Sequence, residues 1–262
     1  MNANEAEIIR LADRAIVRGI SMGQRGLYQN AIEIFDQAIG AGRSFKGDSF
    51  AVRRLMARAL ANKGAALGDF GRDAEAVNCY TAAIAIYRQL ADQKGSPNLT
   101  ADESVTVMNT GWALIKLGRP DEGFPYLQQA LEMRRQLVAD GCEWVRSDVA
   151  RSLYNLGWAY LKAERFAEAL PVLNEAAELL QSLIAEGEEG REEDLAYVLG
   201  ARADTFTGLG RFQESLENCN EVCALFTRLA LSEDNPRFDS ALTAALKARE
   251  HVVSKLGETI PA

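Results

Sequence analysis

Apolar residues recur along this chain with helical spacing, and the pattern is clearest between Leu153 and Ala176. Leu153, Leu156 and Tyr160 fall at i, i+3 and i+7 and make one apolar stripe; Ala169, Leu173 and Ala176 make a second one on the helix that follows. Gly157 sits inside the first stripe and presents no side chain there, so the second helix can come close. In an exposed helix interior that glycine would cost about 1 kcal/mol relative to alanine, so packing must compensate for it. Two such helices cover only one side of each other, and further copies have to stack beside them.

The copies are present. A short turn between paired helices recurs as GLYQNA at Gly26, GRDAEA at Gly71, GRPDEG at Gly118, ERFAEA at Glu164 and GRFQES at Gly210, with a degenerate LGE at Gly257. Successive intervals are 45, 47, 46, 46 and 47 residues, a regularity that linkers between unrelated domains would not produce. The spacing predicts helices at 5–23, 28–41, 48–67, 72–93, 101–117, 120–140, 146–163, 166–186, 191–208, 212–231 and 237–256. These form hairpin units of about 5–45, 48–96, 100–143, 146–189 and 191–233, closed by a capping helix at 237–256, all within one domain of residues 1–262.

Boundary signals agree with this division. Lys94 to Asn98 ends one helix, and Thr100 with Glu103 reads as a capping box opening the next. Asp234, Asn235 and Pro236 stop the last hairpin. Pro125 and Pro171 occupy one repeat position just past the first turn of a second helix, where each removes a backbone donor. The closing helix has no partner after it and shows Lys247, Arg249, Glu250, His251 and Lys255 among its apolar residues, as a terminal cap should.

The pattern of Leu153, Leu156, Gly157, Tyr160, Ala169, Leu173 and Ala176 resembles the tetratricopeptide repeat. The units here are about 12 residues longer than the usual 34, which makes them similar to the long repeats of kinesin light chain and LGN-type proteins. The resemblance implies an all-α fold, a right-handed superhelical solenoid of five hairpins plus a capping helix, and a non-catalytic activity, the binding of other proteins. It is weaker in the first unit, where Ala15 and Arg18 stand at usually large apolar positions, and in the third, where Gly123 replaces the second-helix alanine.

Composition narrows the partners. The chain is 48% apolar and 25% charged, as folded proteins are, and its net charge of −8 opposes an extended phosphate backbone, so nucleic acid is not an expected partner. No run approaches the ~18 apolar residues of a membrane span, and the first residues do not read as a secretory signal, so no membrane is expected and the default compartment is the cytoplasm. Cys219 and Cys223 lie at i, i+4 on one predicted helix, but with His251 as the single histidine they read as small packed residues rather than metal ligands.

Catalytic signatures do not assemble. Gly68-Asp69-Phe70-Gly71 matches a kinase metal-binding triplet but coincides with a repeat turn and lacks the other kinase motifs. The acidic run at 186–194 lacks the alternating ligands of a calcium loop and reads as a solvated turn. No enzyme activity, metal or cofactor is expected.

Aligning the units on their turns is more informative. Asn62, Asn109 and Asn155 fall at one equivalent position, two before the first-helix glycine of units two, three and four, although asparagine is a poor helix former. An amide carries a donor and an acceptor on one short arm and can pair with both groups of an extended peptide. The first unit has Val17 there and the fifth Ala201. Arg58 and Arg151 precede their asparagines by one turn, Trp112 and Trp158 follow by three residues, and Lys116 and Lys162 lie a turn further. The likeness to kinesin light chain and LGN-type proteins implies that such asparagines line a concave groove. The expectation is therefore an extended peptide, acidic with apolar residues, held by Arg58, Asn62, Asn109, Trp112, Lys116, Arg151, Asn155, Trp158 and Lys162. Chaperone-tail binding is disfavoured because Ile16 and Ile20 stand where a carboxylate clamp needs lysine and asparagine. The alternative is an assembly subunit, self-association included, joined through its outer face or its ends.

Overall fold

A computed structural model describes residues 3–94, 96–233 and 236–259. Eleven α-helices and no strand occur among the described residues: α1 (Ala3–Gln24), α2 (Tyr28–Ser44), α3 (Phe50–Asp69), α4 (Asp73–Lys94), α5 (Pro97–Lys116), α6 (Pro120–Ala139), α7 (Arg146–Lys162), α8 (Phe166–Ala185), α9 (Arg191–Gly208), α10 (Phe212–Glu233) and α11 (Pro236–Thr259). A short 3-10 turn at Glu143–Val145 precedes α7. No helix among the described residues is long and apolar enough to cross a membrane.

The helices pair as the repeat predicts, with two corrections. The Thr100 and Glu103 capping box does not open α5. The helix starts four residues earlier than expected, at Pro97, because Ser96 is a good cap followed by proline in the first helical position. Ser96 Oγ accepts from the Leu99 N–H at 3.3 Å, and Glu103 is buried and receives Arg88 Nε at 3.2 Å. Nor does a turn form at Gly257, which lies within α11. Of the expected terminator at 234–236, the first two residues, like Gly95 in the preceding one, lie outside the described residues.

Backbone contacts divide the chain into two compact blocks, Met1–Val145 and Arg146–Ala262. In the first block α1, α3 and α5 form one layer and α2, α4 and α6 back it. Ile16, Leu55, Tyr87, Leu90 and Leu99 are buried in one cluster of its core, and Phe35, Leu67 and Tyr80 in another. The outward face of α1 is not an apolar edge: Arg10, Arg14 and Arg18 are exposed on it beside Leu11 and Val17. In the second block α7 packs on α8 and α9, α10 on α9, and α11 on α10. Leu153, Leu173, Leu183 and Leu199 are fully buried there.

Each hairpin turn closes in one way. In the fourth, the Arg165 N–H reaches back to the Tyr160 carbonyl at 2.9 Å and the Glu164 N–H to Leu161 at 3.0 Å, the double bond of a Schellman turn. The pivot residue needs a left-handed backbone: Gly26, Gly71, Gly118 and Gly210 supply it freely, whereas Glu164 adopts φ 56° with a side chain attached. We expect Glu164→Gly to raise stability by about 0.5–1 kcal/mol by removing that strain, measured by denaturant titration; a loss would show that the Glu164 side chain itself holds the turn.

The residue after the pivot clamps the turn to the second helix. Arg72 grips Glu75 through two bonds of 2.7 and 2.6 Å, Arg119 grips Glu122 in the same way, and Arg165 with Glu168 and Arg211 with Glu214 repeat the pairing. Arg165 and Arg211 also lie over the Tyr160 and Phe206 rings, 4.8 and 4.7 Å from their centroids.

Candidate peptide-binding clefts

In the first block the structure brings three of the expected residues together. Asn109, Trp112 and Lys116 of α5 line one cleft of about 200 Å³ with Asp69, Asp73 and Tyr80. Asn109 is half-buried and has no hydrogen-bond partner among the described residues, so its amide is available. Lys116 Nζ lies 3.8 Å from Asp73 Oδ1. Asn62, on α3, is not equivalent in use: its Nδ2 donates to the Arg58 carbonyl at 2.8 Å, one turn back in its own helix. Arg58 pairs with Asp13 on α1 at 3.3 Å.

In the second block Trp158 is half-buried and lines a cleft of about 260 Å³ with Tyr154, Tyr197, Phe226 and Asp204, walled by Ala241, Ala244 and Ala245 of α11. Lys162 Nζ lies 4.9 Å from the centroid of a Trp158 ring. Arg151 pairs with Asp148 and lines an adjoining cleft of about 200 Å³ with Tyr154, Arg191, Asp194 and Tyr197. Tyr154 and Tyr197 line both clefts, which adjoin on α7 and α9. Asn155 is half-buried and lines neither.

The electrostatics differ from a simple basic groove. Arg58, Lys116 and Arg151 each face an aspartate of the chain itself, and Arg191 holds Asp194 at 2.7 Å. Asp204 stands apart: it is exposed and has no hydrogen bond or ion pair among the described residues, and the partial loss of solvation on the protein side pushes its carboxyl up against a smaller opposing pull from Lys162. Burial likewise raises the Tyr154 and Tyr197 phenols. No group of three metal-ligating side chains occurs among the described residues.

Tyr154, Tyr197, Phe226 and Asp204 are not among the residues that asparagine spacing selects. A signal for Asp204 was available: counted from the turns it stands six residues before Gly210, where Trp112 and Trp158 stand before Gly118 and Glu164. Tyr197 occupies the position of Arg58 and Arg151 in the same way.

Stacked helical hairpins whose first helices carry side-chain-sized aromatic clefts define a repeat protein of the interaction class. Family models of the tetratricopeptide repeat match residues 104–182 and 56–97. Those two stretches are tetratricopeptide repeats. No curated protein matches it in sequence. Among solved structures, BtubC (BKLC) from P. vanneervenii is similar with a TM-score of 0.65 at 17% identity, covering 89% of this chain and 94% of that one. A putative kinesin light chain of Podosopora anserina with nearly identical TPR-like repeats is similar with a TM-score of 0.60 at 18% identity, covering 87% and 99%. YrrB, described as a TPR protein with an unusual peptide-binding site, aligns with a TM-score of 0.50 at 17% identity over 93% and 97%. At these identities the likeness establishes the fold, a helical-hairpin solenoid.

Proposed function

We propose that this chain is a non-catalytic interaction module that holds extended peptide segments on its first helices, with an aromatic cleft in each block as the anchor. The observation that carries this reading is the recurrence of Trp112 and Trp158 at one repeat position, each half-buried and each lining a cleft. Clefts of 200–260 Å³ fall below the roughly 300–1,000 Å³ of small-molecule sites and suit one or two anchoring side chains. A buried aromatic anchor surrounded by a polar rim is how interface energy concentrates. Asn109, with its amide unengaged, is the best placed to bond a peptide backbone; Asn155 holds the same repeat position in the second block, beside the clefts rather than in their lining.

Because Arg58, Lys116 and Arg151 are already matched by Asp13, Asp73 and Asp148, they set no acidic preference by themselves. The affinity is carried by amides and rings. With each net hydrogen bond worth about 1 kcal/mol, Asn109→Ala combined with Asn155→Ala should weaken peptides selected on the full chain from a random display library by about 10- to 30-fold. Helicity and melting should not change. Undiminished binding by that double variant would remove the asparagines from the site.

A further inference from the structure

Resting on the peptide-binding reading, we propose that the cleft of the second block takes a cationic side chain of an extended peptide, arginine foremost, between the Trp158, Tyr154 and Tyr197 rings and the Asp204 carboxylate. The repeat register makes the cleft unusual. Where two hairpins place tryptophan, the fifth places aspartate, and the two residues, Trp158 and Asp204, face one cleft. An aromatic face attracts a cation through its quadrupole, and a carboxylate beside it supplies the counter-charge; together they select a cation over an apolar guest. Arginine suits both, since its guanidinium stacks on rings and pairs with carboxylates through two bonds.

The charges around the cleft favour that occupant. Arg151 with Asp148, Arg191 with Asp194 and Arg237 with Glu193 are matched pairs. Asp204 is exposed at the cleft and has no ion pair among the described residues, so its carboxylate is open to a guest cation. Lys162 is the internal competitor: its ammonium rests over Trp158 and makes no ion pair with Asp204. A cation is thus already tolerated on that ring. The floor and far wall, Gly200, Ala201, Ala241, Ala244 and Ala245, are small and leave the space open.

The test uses the full chain and an array of acetylated, amidated seven-residue peptides in a Gly/Ala/Tyr background, with Arg, Lys, Glu or Leu at the centre. Arg peptides should bind best. Asp204→Asn should weaken them about tenfold while leaving Leu peptides unchanged. Lys162→Ala should strengthen Arg peptides, a gain that damage to the fold cannot mimic. Glu peptides bound as well as Arg peptides, or Arg binding indifferent to both variants, would overturn the cationic occupant and leave peptide binding standing. Retention of no peptide at all would overturn peptide binding itself, and this inference with it.

Discussion

Gly111→Ala lowers the melting temperature of the chain by about 2–8 °C. A Cβ at Gly111 would sit 2.8 Å from the Gly123 carbonyl oxygen and 2.9 Å from Leu127 Cδ2, and one at Gly123 would sit 2.6 Å from the Gly111 oxygen. The obstacle is backbone, so α5 and α6 must separate rather than let a side chain swing away. Overpacking of this kind costs about 1–3 kcal/mol, even though alanine is the better helix former by about 1 kcal/mol. In a chain of this size each kcal/mol moves melting by about 2–4 °C. Gly157→Ala is the internal comparison: its Cβ would meet Leu173 Cδ2 and Cγ, both at 2.6 Å, atoms of a side chain that can shift rather than of backbone. The smaller loss belongs there. A Gly111→Ala protein that melts at or above the parent temperature would mean that α5 and α6 do not approach this closely.

That hairpin also shows what the sequence can tell. Turn periodicity located all eleven helices because each unit repeats the same local solution: an apolar stripe, a pivot in the left-handed region, and a small residue where helices cross. Gly123 looked like a weakness in the third unit, since it departs from the usual alanine. In the structure it is the means of a closer crossing, because Gly111 faces it. Pairing across a hairpin is a property of two positions, and a pattern read one position at a time does not show it. The start of α5 eluded the pattern for a similar reason: two capping signals four residues apart compete, and Ser96 followed by Pro97 prevails. Arg134 was not legible at all. It is 1% exposed, on a helix surface where an arginine would be read as solvated, and its Nε donates to Ser104 Oγ at 3.0 Å.

The candidate site was legible in part. Register alone groups Trp112 with Asn109 and Lys116, and these three side chains line one cleft. What register could not show is how each polar group is spent. Asn62 turns its donor to its own helix, and Arg58, Lys116 and Arg151 meet aspartates contributed by α1, α4 and α7. Charge counted along one helix face therefore overstates how basic that face is. The aromatic cleft of the second block is assembled from α7, α9, α10 and α11, and the closing helix that looked like a plain polar cap supplies one of its walls.

Phe238→Ala tests that last point and should have the largest effect on the second block. Phe238 is 1% exposed near the start of α11, its ring 6.5 Å from that of Phe226 on α10. The Arg237 guanidinium lies over it at 4.6 Å and reaches Glu193 of α9 at 2.6 Å. Most of the remaining helix is amphipathic only in a loose sense, since Leu246 and Val253 are exposed and Val252 is the other deeply buried apolar side chain. Removing a fully buried phenyl costs about 3–5 kcal/mol, and that cost falls on α11 first, because its packing is chiefly on α10. Hydrogen exchange should then show the α11 amides losing about 100-fold or more of their protection while those of α7 to α9 keep theirs. Peptide binding in the second block should fall with them, because Ala241, Ala244 and Ala245 leave the cleft when α11 does. Loss of α11 protection with binding intact would separate the closing helix from the site and return it to the role of a cap.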